Sequence, residues 1–133
     1  MIKDKSAFSL PCVLLAGLLL ASCSNSPQAA QNKIDKIAQN TRMELPKMLD
    51  RDTRLVNVYT GKLELVSEYE LVNYESSESE NKKVKSKIEA YLKTQVCPGI
   101  KKELLSRGIS SRYIYKDNVS KVIGNWLIAP GDC

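Results

Sequence analysis

The chain has 133 residues, which is enough for one domain with one modest hydrophobic core. It contains no histidine, so the usual general base and the commonest metal ligand are missing, and no enzymatic activity is predicted. The formal net charge is only +5 and aromatic residues make up 6% of the chain, which argues against binding to nucleic acid.

The N-terminal segment is typical of an export signal. Lys3 and Lys5 precede an almost purely apolar run from residue 7 to residue 20. A helix that spans a bilayer needs about 20 apolar residues, and this run is shorter and is interrupted by Pro11 and Gly17. The pattern therefore favours a cleaved leader over a permanent membrane anchor.

The last residue of this run and the three that follow it, Leu20-Ala21-Ser22-Cys23, resemble the lipobox of bacterial lipoproteins. This resemblance implies that residues 1–22 are a signal peptide, that the chain is cut before Cys23, and that Cys23 carries a palmitate-type lipid as membrane anchor. A conventional secretory leader cut nearby and an uncleaved anchor are the alternatives. Ser24, in place of Asp, resembles the lipoproteins that a Gram-negative cell forwards to the periplasmic face of its outer membrane.

The cysteine count changes once the leader is set aside. Cys12 belongs to the signal peptide and Cys23 is assigned to the lipid, so Cys97 and Cys133 remain. Two cysteines in an exported chain are expected to form a disulfide. A redox pair is disfavoured because no Cys-x-x-Cys spacing is present, and two cysteines without histidine make a poor metal site. We therefore predict no metal and no cofactor other than the covalent lipid.

The first half of the exported chain predicts one helix and one hairpin. Residues 23–32 are polar and small, as expected for a lipidated tether, and 33–133 is expected to form a single domain. A helix is predicted from about 30 to 43, although Ser26 and Pro27 offer an alternative start. After Leu45-Pro46, Met48 and Leu49 are expected to dock on the core. Runs 55–59 and 63–74 flank a glycine turn and predict a hairpin.

The second half repeats that order. A helix is predicted over 81–97, interrupted by Pro98 and Gly99 and ended by Gly108. The runs 110–116 and 120–129 predict a second hairpin. The fold class is therefore α+β, with two layers, an antiparallel sheet of about four strands in two hairpins, helices on one face, and the order α-β-β-α-β-β. In outline this resembles small envelope domains of unassigned function.

Three groups of side chains are candidates for function. The first is a lysine-rich helix face that suits an anionic ligand or a partner, although a solvated surface is the more common meaning of such a run. The second is a set of aromatic residues on the strands, which suits either a recognition surface or the core. The third is a row of glutamates, which a charged outer sheet face explains better than paired catalytic carboxylates. In order, the groups are Lys82, Lys83, Lys85 and Lys87; Tyr69, Tyr74, Tyr113, Tyr115 and Trp126; and Glu64, Glu68 and Glu70.

The predicted function follows from the anchor and from the missing catalytic groups. We expect a membrane-anchored envelope lipoprotein that acts as a non-enzymatic accessory or protein-binding module, with the membrane and an envelope protein as partners. The alternative is a binder of lipopolysaccharide or anionic lipid through Lys82, Lys83, Lys85 and Lys87.

Overall fold

The structure is a computed structural model and describes residues 26–133. The predicted signal peptide, the lipobox and the lipidated Cys23 lie outside the described residues. The described part is α+β, as predicted. Its elements are α1 (Pro27–Arg42), β1 (Lys47–Met48), β2 (Thr53–Gly61), β3 (Glu64–Leu71), α2 (Glu78–Tyr91), a π-helical turn (Leu92–Val96), α3 (Cys97–Glu103), a 3-10 turn (Leu105–Arg107), β4 (Ser110–Lys116) and β5 (Val122–Ile128).

The sheet differs from the prediction in strand number and in direction. It has five strands in the order β1-β2-β3-β4-β5, where about four were expected. The additional strand, β1, contains only two residues and therefore shows no alternating pattern in the sequence. The sheet is mixed because β3 and β4 are parallel. The helical segment between them returns the chain to the end where β3 began, and such a crossover makes neighbouring strands parallel.

The two predicted hairpins, β2–β3 and β4–β5, are confirmed, and both are antiparallel. The predicted placement of helices on one face is also confirmed. Leu65, Tyr69 and Tyr113 belong to one face of the sheet and pack in the cores beneath the helices. The glutamates of β3 alternate with these residues and lie on the opposite face, as the period of two requires.

Helix α1 begins earlier than residue 30. Ser26 is its N-cap, and its hydroxyl accepts a hydrogen bond from the backbone N–H of Ala29 at 3.2 Å. Pro27 follows in the first turn, where its missing N–H costs nothing. The chain thus adopts the alternative start, and residues 27–32 of the predicted tether are helical.

The second helical segment is nearly continuous from Glu78 to Glu103. The backbone N–H of Cys97 donates to the carbonyl of Leu92, five residues back, so the helix widens by one residue just before Pro98. Gly108 ends the segment with a φ of 78°, in the left-handed conformation that glycine adopts readily. Cys97 and Cys133 form a disulfide with a Cα–Cα distance of 5.7 Å, which ties the residues after β5 to the start of α3.

Candidate functional site

An apolar groove opens between α2 and the loop that joins β1 to β2. It arises because α1 packs over β2 and β3, whereas α2 and the start of α3 pack over β4 and β5, and the partly buried Tyr69 and Ile100 contact both cores. The groove has a volume of about 670 Å³. This size is within the range of ligand-binding pockets. Fifteen residues line it: Leu49, Asp50, Asp52, Thr53, Tyr69, Leu71, Asn73, Tyr74, Val84, Lys87, Ile88, Tyr91, Val96, Tyr113 and Tyr115.

The floor of the groove consists of three tyrosines from the two parallel central strands. Tyr69 of β3 is paired in register with Tyr115 of β4, and their ring centroids are 4.8 Å apart. Tyr69 also stacks on Tyr113, with a centroid separation of 6.2 Å. Burial raises the pKa of Tyr69 to about 12 and raises the pKa values of Tyr113 and Tyr115 as well. All three rings therefore stay neutral at physiological pH and form an aromatic, polarisable floor.

Trp126 completes the aromatic cluster behind the floor but is absent from the groove lining. Its ring meets Tyr115 edge to face at a centroid distance of 5.9 Å. Its indole N–H donates to Oε1 of Glu89 at 3.0 Å, which ties β5 to α2. Of the five aromatic candidates from the sequence, four thus line the groove and one braces it.

The two walls each expose an apolar side chain at the rim. Leu49 of the β1–β2 loop is 50% exposed and Tyr91 of α2 is 52% exposed. The prediction that Met48 and Leu49 dock on the core is therefore wrong, because the loop stands beside the groove and leaves both side chains half exposed. Tyr91 keeps helical spacing with the buried Ile88 but is itself half exposed.

Polar groups of opposite charge occupy the two walls. Asp50 accepts hydrogen bonds from the backbone N–H groups of Asp52 and Thr53 at 2.8 and 2.7 Å. The bond from Asp52 is the main cause of a lowered pKa at Asp50. The carboxylate of Asp52 accepts from the side-chain amide of Asn73 at 2.8 Å. Lys87 stands on the other wall, so the groove is acidic on its loop side and basic on its helix side.

A buried carboxylate holds the loops next to the groove. Asp117 is fully buried, and its oxygens accept hydrogen bonds from the backbone N–H groups of Ser76, Val119 and Lys121 at 3.0, 3.0 and 2.8 Å. Burial by itself would raise the pKa of Asp117, but these donors favour the ionised form and lower it to about 2. Asp117 thus fixes the β4–β5 turn to the loop before α2. In the sequence it looks like an ordinary acid in a turn.

The structure does not gather the four predicted lysines into one compact site. Lys82, Lys83, Lys85 and Lys87 are all exposed, and within residues 26–133 none of them forms an ion pair. Lys83 and Lys87 are four residues apart on α2 and therefore lie on the same flank of the helix, the flank on which Lys87 lines the groove. Lys85 shares the other flank with Glu89, which bonds Trp126. Only Lys87 lines the groove.

The three predicted glutamates lie on the sheet face away from the helices, and each is paired with a cation. Glu70 meets Arg54 at 2.8 Å and Glu68 meets Lys116 at 3.4 Å. Glu64 bonds Arg112, which also donates to Asn125 at 2.8 Å. This arrangement is a cross-strand charge ladder that covers the outer face.

Residues 26–133 contain neither a metal-binding cluster nor a membrane-spanning helix. In the part of the chain from Ser26 to Cys133, no group of three or more histidine, cysteine or acidic residues is arranged to hold a metal ion. No helix in that same part is long and apolar enough to cross a bilayer.

Comparison by sequence finds no matching protein family model and no matching curated protein. Comparison by structure finds solved proteins with a similar fold. The pilotin AspS of the type II secretion system of Vibrio cholerae is 13% identical with a TM-score of 0.57, over 85% of this chain and 99% of that one. The pilotin EpsS of the type 2 secretion system of Vibrio vulnificus is 9% identical with a TM-score of 0.58, over 80% and 93%.

A candidate secreted protein of Pseudomonas aeruginosa is also similar, at 14% identity and a TM-score of 0.60 over 79% of this chain and 93% of that chain. At these identities the likeness establishes a shared fold.

Proposed function

We propose that this chain is a non-enzymatic accessory lipoprotein of the bacterial envelope that binds a protein partner in the groove between α2 and the β1–β2 loop. The groove is the observation that carries the proposal. Two of the proteins that share the fold are pilotins of type II secretion systems, which supports a role beside an envelope secretion or assembly machine.

The chemistry of the groove suits a short amphipathic segment of a partner protein. Such a segment would place an apolar or aromatic side chain on the tyrosine floor, since tyrosines give large contact area at low entropic cost. Leu49 and Tyr91 at the rims would close over its flanks. A basic residue of the segment would face Asp50 and Asp52, and an acidic one would face Lys87. A helix laid in a groove is a common form of this recognition.

The same groups do not suit catalysis. The floor tyrosines are neutral, with pKa values raised by burial, so they do not act as bases near neutral pH. The carboxylates of Asp50 and Asp52 are already engaged by neighbouring donors. Cys97 is bonded to Cys133 and offers no thiolate. What remains is a surface for recognition.

The proposed location follows from the lipobox-like sequence. A lipid on Cys23, with Ser24 after it, would hold the mature chain at the periplasmic face of the outer membrane. Two or three acyl chains give stable residence in a bilayer, whereas one chain is marginal. Metabolic labelling with palmitate, compared between the wild type and Cys23→Ala, tests this part, and a wild type that takes up no label would contradict it.

Site-specific photocrosslinking in intact cells tests the groove. A photoreactive phenylalanine analogue at Tyr91 is compared with the same analogue at Leu127, which has a similar exposure of 46% but lies on the opposite sheet face. We expect one envelope protein to be captured from position 91 and not from position 127. Val84→Glu, which places a charge in the groove, should abolish that capture.

The captured protein is then purified and its affinity for the lipidated wild type measured by calorimetry. Tyr91→Ala should weaken binding by about 10-fold or more, in line with about 1–2 kcal/mol or more for a buried aromatic contact at an interface. Equal capture from both positions, or an affinity indifferent to Tyr91, would contradict the proposal.

A further inference from the structure

The N-terminus of α1 lies at one end of the sheet, beside the β2–β3 turn. Gln31 makes this contact twice, because its side-chain amide donates to the carbonyl of Gly61 at 3.1 Å and accepts from the N–H of Leu63 at 2.7 Å. Only Ser24 and Asn25 separate Cys23 from the N-cap Ser26. Three residue steps span about 10 Å when fully extended. A lipid on Cys23 would therefore keep this end of the domain close to the bilayer.

The end of the second helical segment meets the sheet at the same place. Lys33 of α1 pairs with Glu103 at the end of α3 at 3.3 Å. The N–H of Ser110, where β4 begins, donates to the carbonyl of Leu63 at 2.9 Å. The β2–β3 turn, the end of α3 and the 3-10 turn therefore cluster around the start of α1, and we call this cluster the anchor end.

The anchor end carries free positive charge. Lys62, Lys101, Lys102 and Arg107 are exposed, and within the described residues none of them forms an ion pair. Two acids of this end, Asp35 and Asp132, likewise form no ion pair with any residue between Ser26 and Cys133. Asp35 accepts from Thr60 and Asp132 accepts from the N–H of Ala129. Cations thus predominate on the surface that the short tether brings to the membrane.

The groove lies at the opposite end of the sheet. Its residues Thr53 and Leu71 face each other where β2 begins and β3 ends, seven residues along β3 from Glu64 at the anchor end. Seven residue steps of strand extend about 23 Å. Lys82 likewise lies 20 residues before Lys102 in the helical segment, a separation of about 30 Å.

We infer that the anchor end docks on anionic phospholipid headgroups and so orients the domain, with the far end of the groove held about 23 Å from the bilayer surface and open to a periplasmic partner. This inference rests on the proposed lipid at Cys23. It assigns membrane contact to Lys62, Lys101, Lys102 and Arg107, and leaves the lysines of α2 at the far end. The groove is therefore out of reach of the headgroups and stays open to a protein segment.

The test uses the full lipidated protein in vesicles of phosphatidylethanolamine alone or with phosphatidylglycerol in a three-to-one ratio. A photoreactive phenylalanine analogue replaces Asn32, exposed near the start of α1, or Glu75, exposed near the groove. Mass spectrometry measures the fraction of protein joined to lipid, and flotation measures the fraction bound to vesicles.

We expect lipid adducts from position 32 and few from position 75 when phosphatidylglycerol is present. Reversing four charges with Lys62→Glu, Lys101→Glu, Lys102→Glu and Arg107→Glu should lower the yield at position 32 by about 5-fold or more, because each basic side chain is attracted to an anionic surface. The matched control is Lys82→Glu, Lys83→Glu, Lys85→Glu and Lys87→Glu. It changes the net charge equally and should leave that yield unaltered.

The outcomes separate the two claims. Protein that floats but gives equal yields at both positions, or loses as much yield in the control variant, would overturn the orientation and leave the anchor in place. Protein that does not float would overturn the anchor and the orientation built on it.

Discussion

Gly124 of β5 lies directly beneath the indole ring of Trp126. A Cβ atom at position 124 would overlap that ring. The ring is not free to move, because it packs edge to face on Tyr115 and donates to Glu89 at 3.0 Å. We expect Gly124→Ala to destabilise the protein by about 1–3 kcal/mol, the usual cost of overpacking.

Gly99 of α3 provides a matched control, since no atom lies within 4 Å of a Cβ placed there. Alanine in a helix is better than glycine by about 0.5–1 kcal/mol, so Gly99→Ala should stabilise the protein. The same chemical change is therefore expected to have opposite signs at the two positions. Urea unfolding followed by circular dichroism measures both free energies.

Adding Trp126→Ala distinguishes a clash from a general loss of strand stability. Once the indole is gone, Gly124→Ala should lose most of its penalty, and the double-mutant cycle then gives a coupling of about 1 kcal/mol or more. If Gly124→Ala stabilises the protein as Gly99→Ala does, or keeps its full cost without Trp126, the packing described for this cluster is refuted.

Three further predictions concern the disulfide and two kinds of titrating group. Replacing Cys97 and Cys133 by alanine opens a loop of 36 residues and should cost about 4 kcal/mol in urea unfolding, with the reduced wild type matching the variant. Equal stability of oxidised and reduced protein would contradict this. The pKa of Asp117, near 2, is below that of an unfolded aspartate, so its stabilisation is present above about pH 4 and lost as the pH falls towards 2. Asp117→Asn should flatten this part of the stability profile, and an unchanged slope would refute the assignment. Tyr69 and Tyr115 have raised pKa values, so their contribution to stability is complete below pH 10 and fades as the pH rises towards 12. Their ultraviolet ionisation signal should appear only with alkaline unfolding, and a reversible signal from these rings in the folded state near pH 10 would count against their burial.

Local sequence patterns predict most of the elements and half of the sheet topology. The alternation of Leu65 and Tyr69 with the glutamates of β3 places the buried face correctly, and Gly108 marks the end of the helical segment as expected. The parallel pairing of β3 with β4 is not visible locally, because a helix between two hairpins allows the second hairpin to return in either direction. The two-residue β1 exists only through its pairing with β2.

The groove is predicted only in part. The strand tyrosines are identified as candidates from their residue type, but their role depends on which helix covers them. The tyrosine rings pack in the core and also line the groove, and which part of each ring reaches the groove is set by where the helices pack. No sequence pattern marks Leu49, Asp50 and Asp52 as site residues. They line the groove because tertiary contacts place the β1–β2 loop beside α2.

The sequence by itself determines the covalent and short-range features of this protein: the lipobox-like segment before Cys23, the pairing of two remaining cysteines, the helix stripes and the strand faces. These depend on residue type and on spacing within one element. Only the tertiary structure decides that the start of α1 and the groove lie at opposite ends of the sheet, because that relation depends on how the crossover between β3 and β4 packs. The length of the nearly continuous helical segment separates the lysines of α2 from those at the end of α3, and the packing of that segment places one group towards the groove and the other at the anchor end.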